Sequence, residues 1–336
     1  AVEIAERSGS SLQISHFMCV PNLGRAADLV YAAVDVLEKI NKIIPLPGIP
    51  NQVLHRAYGV VDRALEKGLD VGLDFIPYVL GNTTVTQLYP PWALEGGTEA
   101  LLRRLSDPEQ RARIRRDVET TKARWPHWEP GSWASNYIKC LGWKMFSILS
   151  VGSEKNRHLE GRRIVELARE AGKDPFDFLA DLTVDEEGAV TFLMGISPRP
   201  WSEKVFLKGQ EHPQLSVGAD VLFPEKGSPP QTAYGTFPRI FQHYVRELGL
   251  YTLENAVHRC TGLAASRYGL EDRGVIRKGA AADLVVFDFE RIRDNSTYDD
   301  PRRYPDGIEW VMVNGKAVLQ GGKYDAAALP GMVLAR

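Results

Sequence analysis

The chain has 336 residues, of which 44% are hydrophobic and 25% charged, and its formal net charge is −2. These globular values suit one large domain, or a domain with a small appendage. A near-neutral balance without a basic block argues against nucleic acid or an anionic membrane surface as a partner, and the apolar runs are too short to span a bilayer. The N-terminus, "AVEIAERSG", is charged within three residues and does not resemble a signal peptide. Three widely spaced cysteines, Cys19, Cys140 and Cys260, argue against a disulfide framework, so a reducing, cytoplasmic setting is expected.

In chain order, "AVEIAERSG" reads as the last turns of an amphipathic helix with Gly9 as its stop, which suggests part of a longer protein. "SSLQISHF" alternates like a strand and ends at His16. Residues 24–44 show helical periodicity, the Pro-rich "PLPGIPNQ" breaks it, and "VLHRAYGVVDRALEKG" resumes it up to Gly68. "LDVGLDFIPY" is a second strand closed by Pro77, and the strand–helix–strand order predicts a parallel sheet. Residues from about 82 to 212 form a long excursion with its own helices, opened by Asp107-Pro108 and Asp174-Pro175, and a strand at "AVTFLM". Four of the seven tryptophans crowd between 125 and 143, so the excursion reads as a cap or substrate-shaping insertion.

A further strand, "QLSVGAD", ends on Asp220. The spacing then predicts a helix over "GTFPRIFQHYVRELG" with Phe237, Ile240, Phe241, Tyr244, Val245 and Leu248 on one face. A second helix over "YTLENAVHRCTGLAASRYG" buries Leu253, Ala256, Val257, Cys260 and Ala264. After Gly269 short strands take over, with Asn314-Gly315 as a hairpin turn.

Two strand ends carry chemistry-bearing side chains, His16 and Asp220. In parallel α/β barrels the reacting groups sit at the C-terminal strand ends, where the loops converge. An imidazole can hold a divalent metal, and a carboxylate beside a metal-bound water can move its proton. The competing roles are a hydrogen-bonded core histidine and a turn-forming aspartate. His55, His158, His243 and His258 lie on helical stretches as solvated or packing residues, while His127 and His212 belong to the excursion and could line a pocket. Cys19 reads as a buried bystander. No phosphate-cradling glycine loop, CxxC pair, HExxH or GxSxG motif is present.

The run from "YGTFPRIFQHYVRELG" through "DRGVIRKGAAADLVVFD", with "DPRRYPDGIEWVMVNG" and "ALPGMVL", closely resembles the C-terminal part of the N-acyl-D-amino-acid deacylases (D-aminoacylases), metal-dependent barrel enzymes of the amidohydrolase superfamily. The resemblance is dense over 214–336 and extends back through "KDPFDFLADL", "PPWALEGG", "LDVGLDFIPY" and "AVEIAERSGSSLQISH".

It implies an α/β fold: a partial (β/α)8 TIM barrel with its later strands, including the sixth to eighth, spanning 1–270 with the insertion at about 82–212. Residues 271–336 would supply strands of a small β-sandwich. It implies His16 as a zinc ligand, Asp220 as the catalytic proton shuttle, one or two divalent ions, and a small-molecule amide as substrate. Tyr78 and Tyr234 are substrate-binding candidates, with core packing as the competing role.

The departures are informative. The family's His-x-His, bridging Cys and fifth-strand His have no counterpart, so the N-terminal barrel half is expected from the same gene product or a partner chain. The family's Ser-His-His-Lys reads Ser15-His16-Phe17-Met18 here, and its His-Pro-Arg reads Gln231-Thr232-Ala233. Losing that Arg removes a bidentate clamp for a substrate carboxylate and favours a more neutral or cyclic amide. The remaining alternative is a catalytically incomplete fragment or paralog acting as scaffold or subunit. Homo-oligomerisation is left open.

Overall fold

A computed structural model describes residues 1–17, 52–121, 133, 135–195, 207, 210–221, 228–298 and 300–334, without the side chains of 52–55. The predicted helix at 24–44, the Pro-rich loop, Cys19, His127, Trp125, Trp128 and the side chain of His55 lie outside the described residues.

Among the described residues ten strands fall into three sheets. The first is parallel, in the order β1 (Leu12–Ile14), β2 (Val71–Phe75), β6 (Leu215–Val217). Leu12 pairs with Val71 and Leu73 with Leu215, so all three strands point their C-terminal ends the same way. The two-residue period sorts their side chains. Val71, Leu73, Phe75, Leu215 and Val217 are buried on one face against Val61 and Ala64 of the helix Gln52–Glu66 and against Ile240, Phe241 and Tyr244. Each fully buried chain of this size contributes about 1.5–3 kcal/mol. The opposite face carries Gln13, Gly72, Asp74 and Ser216, small or polar residues that no hydrophobic core would select.

The second sheet is antiparallel and joins β3 (Leu80–Thr84), β5 (Val190–Gly195) and β4 (Phe146–Val151) in that order. It belongs to a separate hydrophobic cluster that includes Leu101, Ile114, Phe146, Phe176 and Phe192. The predicted Asp-Pro helix starts are both present. Asp107 accepts from the Gln110 N–H at 2.8 Å to open Pro108–Thr120, and Asp174 accepts from Phe176 and Asp177 to open Pro175–Asp185. β3 and β4 are strands that periodicity did not reveal; both are five- or six-residue runs with polar residues at alternating or adjacent positions.

The third sheet is antiparallel, β10 (Lys323–Tyr324), β9 (Lys316–Gln320), β8 (Ile308–Val313), β7 (Leu284–Phe287), with Asn314 and Gly315 both at positive φ in the predicted hairpin turn.

Two helix expectations are corrected. The run after Thr232 winds as an α-helix only over Thr232–Arg239, and Ile240–Glu247 is a wider helix in which the Leu248 N–H bonds back to His243. Pro238 sits inside the first part and lacks the N–H that would continue the four-residue ladder, which fits a change of winding there. Phe237 and Leu248 are therefore rotated out, 44% and 45% exposed. The second expected helix is two, Leu253–Cys260 and Gly262–Arg267, broken at Thr261 (φ −133°, ψ −85°), and Val257 is exposed.

Candidate active site

The parallel sheet positions the site. After β1 ends at Ile14, the chain turns sharply through Ser15 and His16, and His16 takes a φ of +54°. Asp74 of β2 fastens that turn, accepting from the His16 backbone N–H (2.9 Å), the Ser15 hydroxyl (2.8 Å) and the Gln13 amide (2.8 Å). The Phe17 N–H bonds to the Asp74 carbonyl at 2.7 Å. After β6 the Gly218 N–H bonds to the Phe75 carbonyl at 2.9 Å, and Asp220 then takes a φ of +44°. Non-glycine residues avoid this region because the Cβ crowds the backbone, at a cost of roughly 1–3 kcal/mol. Two of the four described non-glycine residues at positive φ are thus His16 and Asp220.

The two strains converge. His16 Nε2 lies 3.3 Å from Asp220 Oδ2, with the side chains 47% and 40% exposed. They line a cavity of about 310 Å³ together with Gln13, Asp74, Ser216, Gly218 and Arg267. A pair of half-exposed groups at adjacent strand ends can exchange a proton with a bound molecule and with water.

A larger cavity of about 750 Å³ lies among residues 105–185. Its Arg111, Arg162 and Lys173 are each paired with a carboxylate.

The remaining sequence candidates lie elsewhere. Tyr78 is buried and donates to Asp294 Oδ2 at 2.7 Å, with the Arg239 guanidinium 5.0 Å from its ring centre. Burial, reinforced by the Asp294 charge, pushes its phenol far above the ordinary value. Tyr234 is half-buried and meets Tyr304 edge-on at 5.6 Å. Neither lines the His16–Asp220 cavity. His212 is buried, 3.0 Å from Asp62 and stacked on Tyr58.

Asp74 was not singled out by the sequence reading. The signal was available, because a carboxylate near the end of a buried strand poses the same question in "VGLDF" as in "VGAD".

A catalytic zinc takes about three protein ligands. The pair His16 and Asp220 offers two donors, and Asp74 already accepts three hydrogen bonds. Among the described residues no group of three His, Cys, Asp or Glu could hold a metal ion. These residues do not make up a zinc site by themselves.

Residues 210–319 match the model of the amidohydrolase family. That stretch resembles the amidohydrolases. The chain is 39% identical over 178 residues to a D-aminoacylase of Alcaligenes xylosoxydans xylosoxydans, covering 53% of this chain and 34% of that protein. It is 30% identical over 276 residues to an N-acyl-D-glutamate deacylase of the same organism, covering 82% of this chain and 43% of that protein.

Among solved structures, a D-aminoacylase mutant in complex with copper chloride matches with a TM-score of 0.61 and 24% identity, over 100% of this chain and 52% of that one. An N-acyl-D-glutamate deacylase from Bordetella bronchiseptica, complexed with zinc and a phosphonate mimic of the tetrahedral intermediate, matches with a TM-score of 0.61 and 24% identity, over 99% and 51%. The chain therefore spans about half the length of these solved relatives and shares the fold of that half. No helix among the described residues is long and apolar enough to cross a membrane.

Proposed function

We propose that the chain supplies the later-strand part of a zinc amidohydrolase that cleaves amide-type C–N bonds, with β1, β2 and β6 as the sixth, seventh and eighth strands of a (β/α)8 barrel. Residues 1–270 form this barrel part, with the insertion at about 82–212, and 271–336 give strands of the small β-sandwich. The observation that carries the reading is the 3.3 Å approach of His16 and Asp220 from two parallel strand ends. The amidohydrolase match over 210–319 supports it, since that segment contains Asp220.

In this reading His16 offers its imidazole to zinc, and Asp220 takes a proton from the attacking water and returns it to the departing amine. Zinc, when bound, polarises the amide carbonyl and makes water a nucleophile near neutral pH. Further ligands come from outside the described residues, from the remaining barrel in the same gene product or a partner chain. The setting is cytoplasmic.

The substrate is a small amide. The relatives named above are, by their names, a D-aminoacylase and N-acyl-D-glutamate deacylases. Where the D-aminoacylases carry His-Pro-Arg, Gln231-Thr232-Ala233 offers no cation for a carboxylate, which supports a neutral or cyclic amide. Tyr78 and Tyr234, neither of which lines this cavity, stay as candidates for the far side of the substrate pocket.

The shortage of metal donors among the described residues favours one second reading, a non-catalytic subunit. Zinc content and hydrolysis of N-acyl-D-amino acids against neutral amides, measured on the complete protein, separate the two. Bound zinc with amide turnover supports the enzyme; neither points to the subunit.

A further inference from the structure

We infer that Asp74 is a positioning residue that sets the distance between the two reacting strand ends, acting through the backbone of His16 rather than on the substrate. The inference rests on the hydrolase reading only for its kinetic readout.

Asp74 sits on the central strand of the parallel sheet. Its strand lies between β1 and β6, so its carboxylate faces the turn that carries His16 on one side and Gly218, two residues before Asp220, on the other. A Cβ on Gly218 would stand 3.6 Å from Asp74 Oδ1. On the His16 side three donors converge on this one carboxylate: the His16 N–H on Oδ1, and the Ser15 hydroxyl and Gln13 Nε2 on Oδ2. His16 holds a positive φ, and a charge-assisted bond to its N–H offsets the strain of that conformation. Without it the backbone relaxes toward negative φ and swings the imidazole away from Asp220.

The network also dictates why the residue is Asp and not Asn. Arg267 donates through Nε to Gln13 Oε1 at 3.1 Å, and through Nη2 to the Leu12 carbonyl at 2.9 Å. Its other terminal nitrogen pairs with Asp70. With Oε1 occupied, Gln13 must present its NH₂ to residue 74. An asparagine there has one acceptor for two fixed donors, the His16 N–H and Gln13 Nε2. Whichever way its amide turns, an NH₂ faces an N–H.

The same logic yields a rescue. In Gln13→Glu with Asp74→Asn, the new glutamate accepts from Arg267 with one oxygen and from the asparagine NH₂ with the other. The asparagine oxygen is then free for His16. Gln13→Glu alone places two carboxylates face to face and is defective.

The test reads the backbone amide proton of His16 by NMR in isotope-labelled protein, together with kcat and KM in the complete protein. In the parent, the carboxylate bond holds this proton downfield. Asp74→Asn is expected to move it upfield and to lower kcat about 10- to 100-fold with KM nearly unchanged, as loss of an outer positioning partner does. The double variant restores the shift and most of kcat. A double variant as impaired as Asp74→Asn while both melt near the parent, or a His16 amide that does not respond to Asp74→Asn, overturns the proposal. If the parent turns over no amide, the hydrolase reading fails, and the amide shifts decide the role of Asp74 without it.

Discussion

His16 Nε2 stands 3.3 Å from Asp220 Oδ2, and both residues hold positive φ to meet there. Backbone strain at two facing strand ends persists only where the surrounding structure enforces it. Here the enforcement is visible: Asp74 grips one turn, and the Phe75 carbonyl anchors Gly218 before the other. The first consequence is that removing the imidazole costs function without costing the fold. His16→Gly, free to adopt either sign of φ, is expected to leave the melting temperature near the parent's while abolishing amide turnover. Differential scanning calorimetry beside the activity assay checks it.

Gly235 is the position where a single methyl does most damage to the polar network beneath the helix Thr232–Arg239. A Cβ there would run into the Asp294 carboxylate and the Tyr78 hydroxyl, which are hydrogen-bonded to each other at 2.7 Å. Overpacking of this kind costs about 1–3 kcal/mol. Gly235→Ala should therefore lower the urea midpoint, and Gly235→Ala with Tyr78→Phe should recover part of the loss by removing one of the two obstructing atoms.

Glu186 ties the loop after β4 to the end of the helix Pro175–Asp185. Burial pushes its carboxyl up, but hydrogen bonds from Ser153 and Asn156 outweigh that and hold it below the usual glutamate range. A depressed folded-state value means the unfolded chain binds the proton more readily. The stabilisation is therefore complete above the ordinary glutamate value of about 4.3 and is lost as pH falls through the folded-state value. Glu186→Gln should be destabilised by about 1–3 kcal/mol at pH 7, with the gap to the parent narrowing in acid. Urea unfolding at pH 7 and pH 3 measures both ends.

Burial raises the Cys140 thiol, and desolvation pushes Cys260 up to about 12, so neither forms much thiolate at neutral pH. In a Cys19→Ser background, native protein should resist an aromatic disulfide reagent at pH 7.5 and titrate two thiols only after unfolding. Rapid labelling of folded protein would show that one of these cysteines is more open than its surroundings indicate.

What was legible in the sequence was local. Asp107 and Asp174 announced helix starts because the cap bond spans only a few residues. Asn314-Gly315 announced a hairpin because few other pairs accept positive φ twice in succession. His16 and Asp220 were found as strand ends and as family motifs. Their approach was not, because it depends on the register of three strands far apart in the chain. The strand-end position of Asp74 was legible, but its partners were not, since Gln13 comes from β1 and Ser15 and His16 from the turn after it. The change of winding at Ile240 and the break at Thr261 were invisible to periodicity, which assumes one pitch throughout. Pro238 marked the first of these, and only the observed hydrogen bonds gave it that meaning.

We propose that Asp220 moves the proton in amide cleavage while His16 serves the metal. The most direct test is Asp220→Asn in the complete protein, with zinc content and kcat measured on the same preparation. Asparagine keeps the shape and removes the base, a change that in general acid–base catalysis costs about 10²–10⁴-fold. A fall of that size in kcat is expected in a folded protein that still carries zinc through His16 and the ligands beyond the described residues. A zinc-loaded Asp220→Asn protein with the parent's kcat would contradict it.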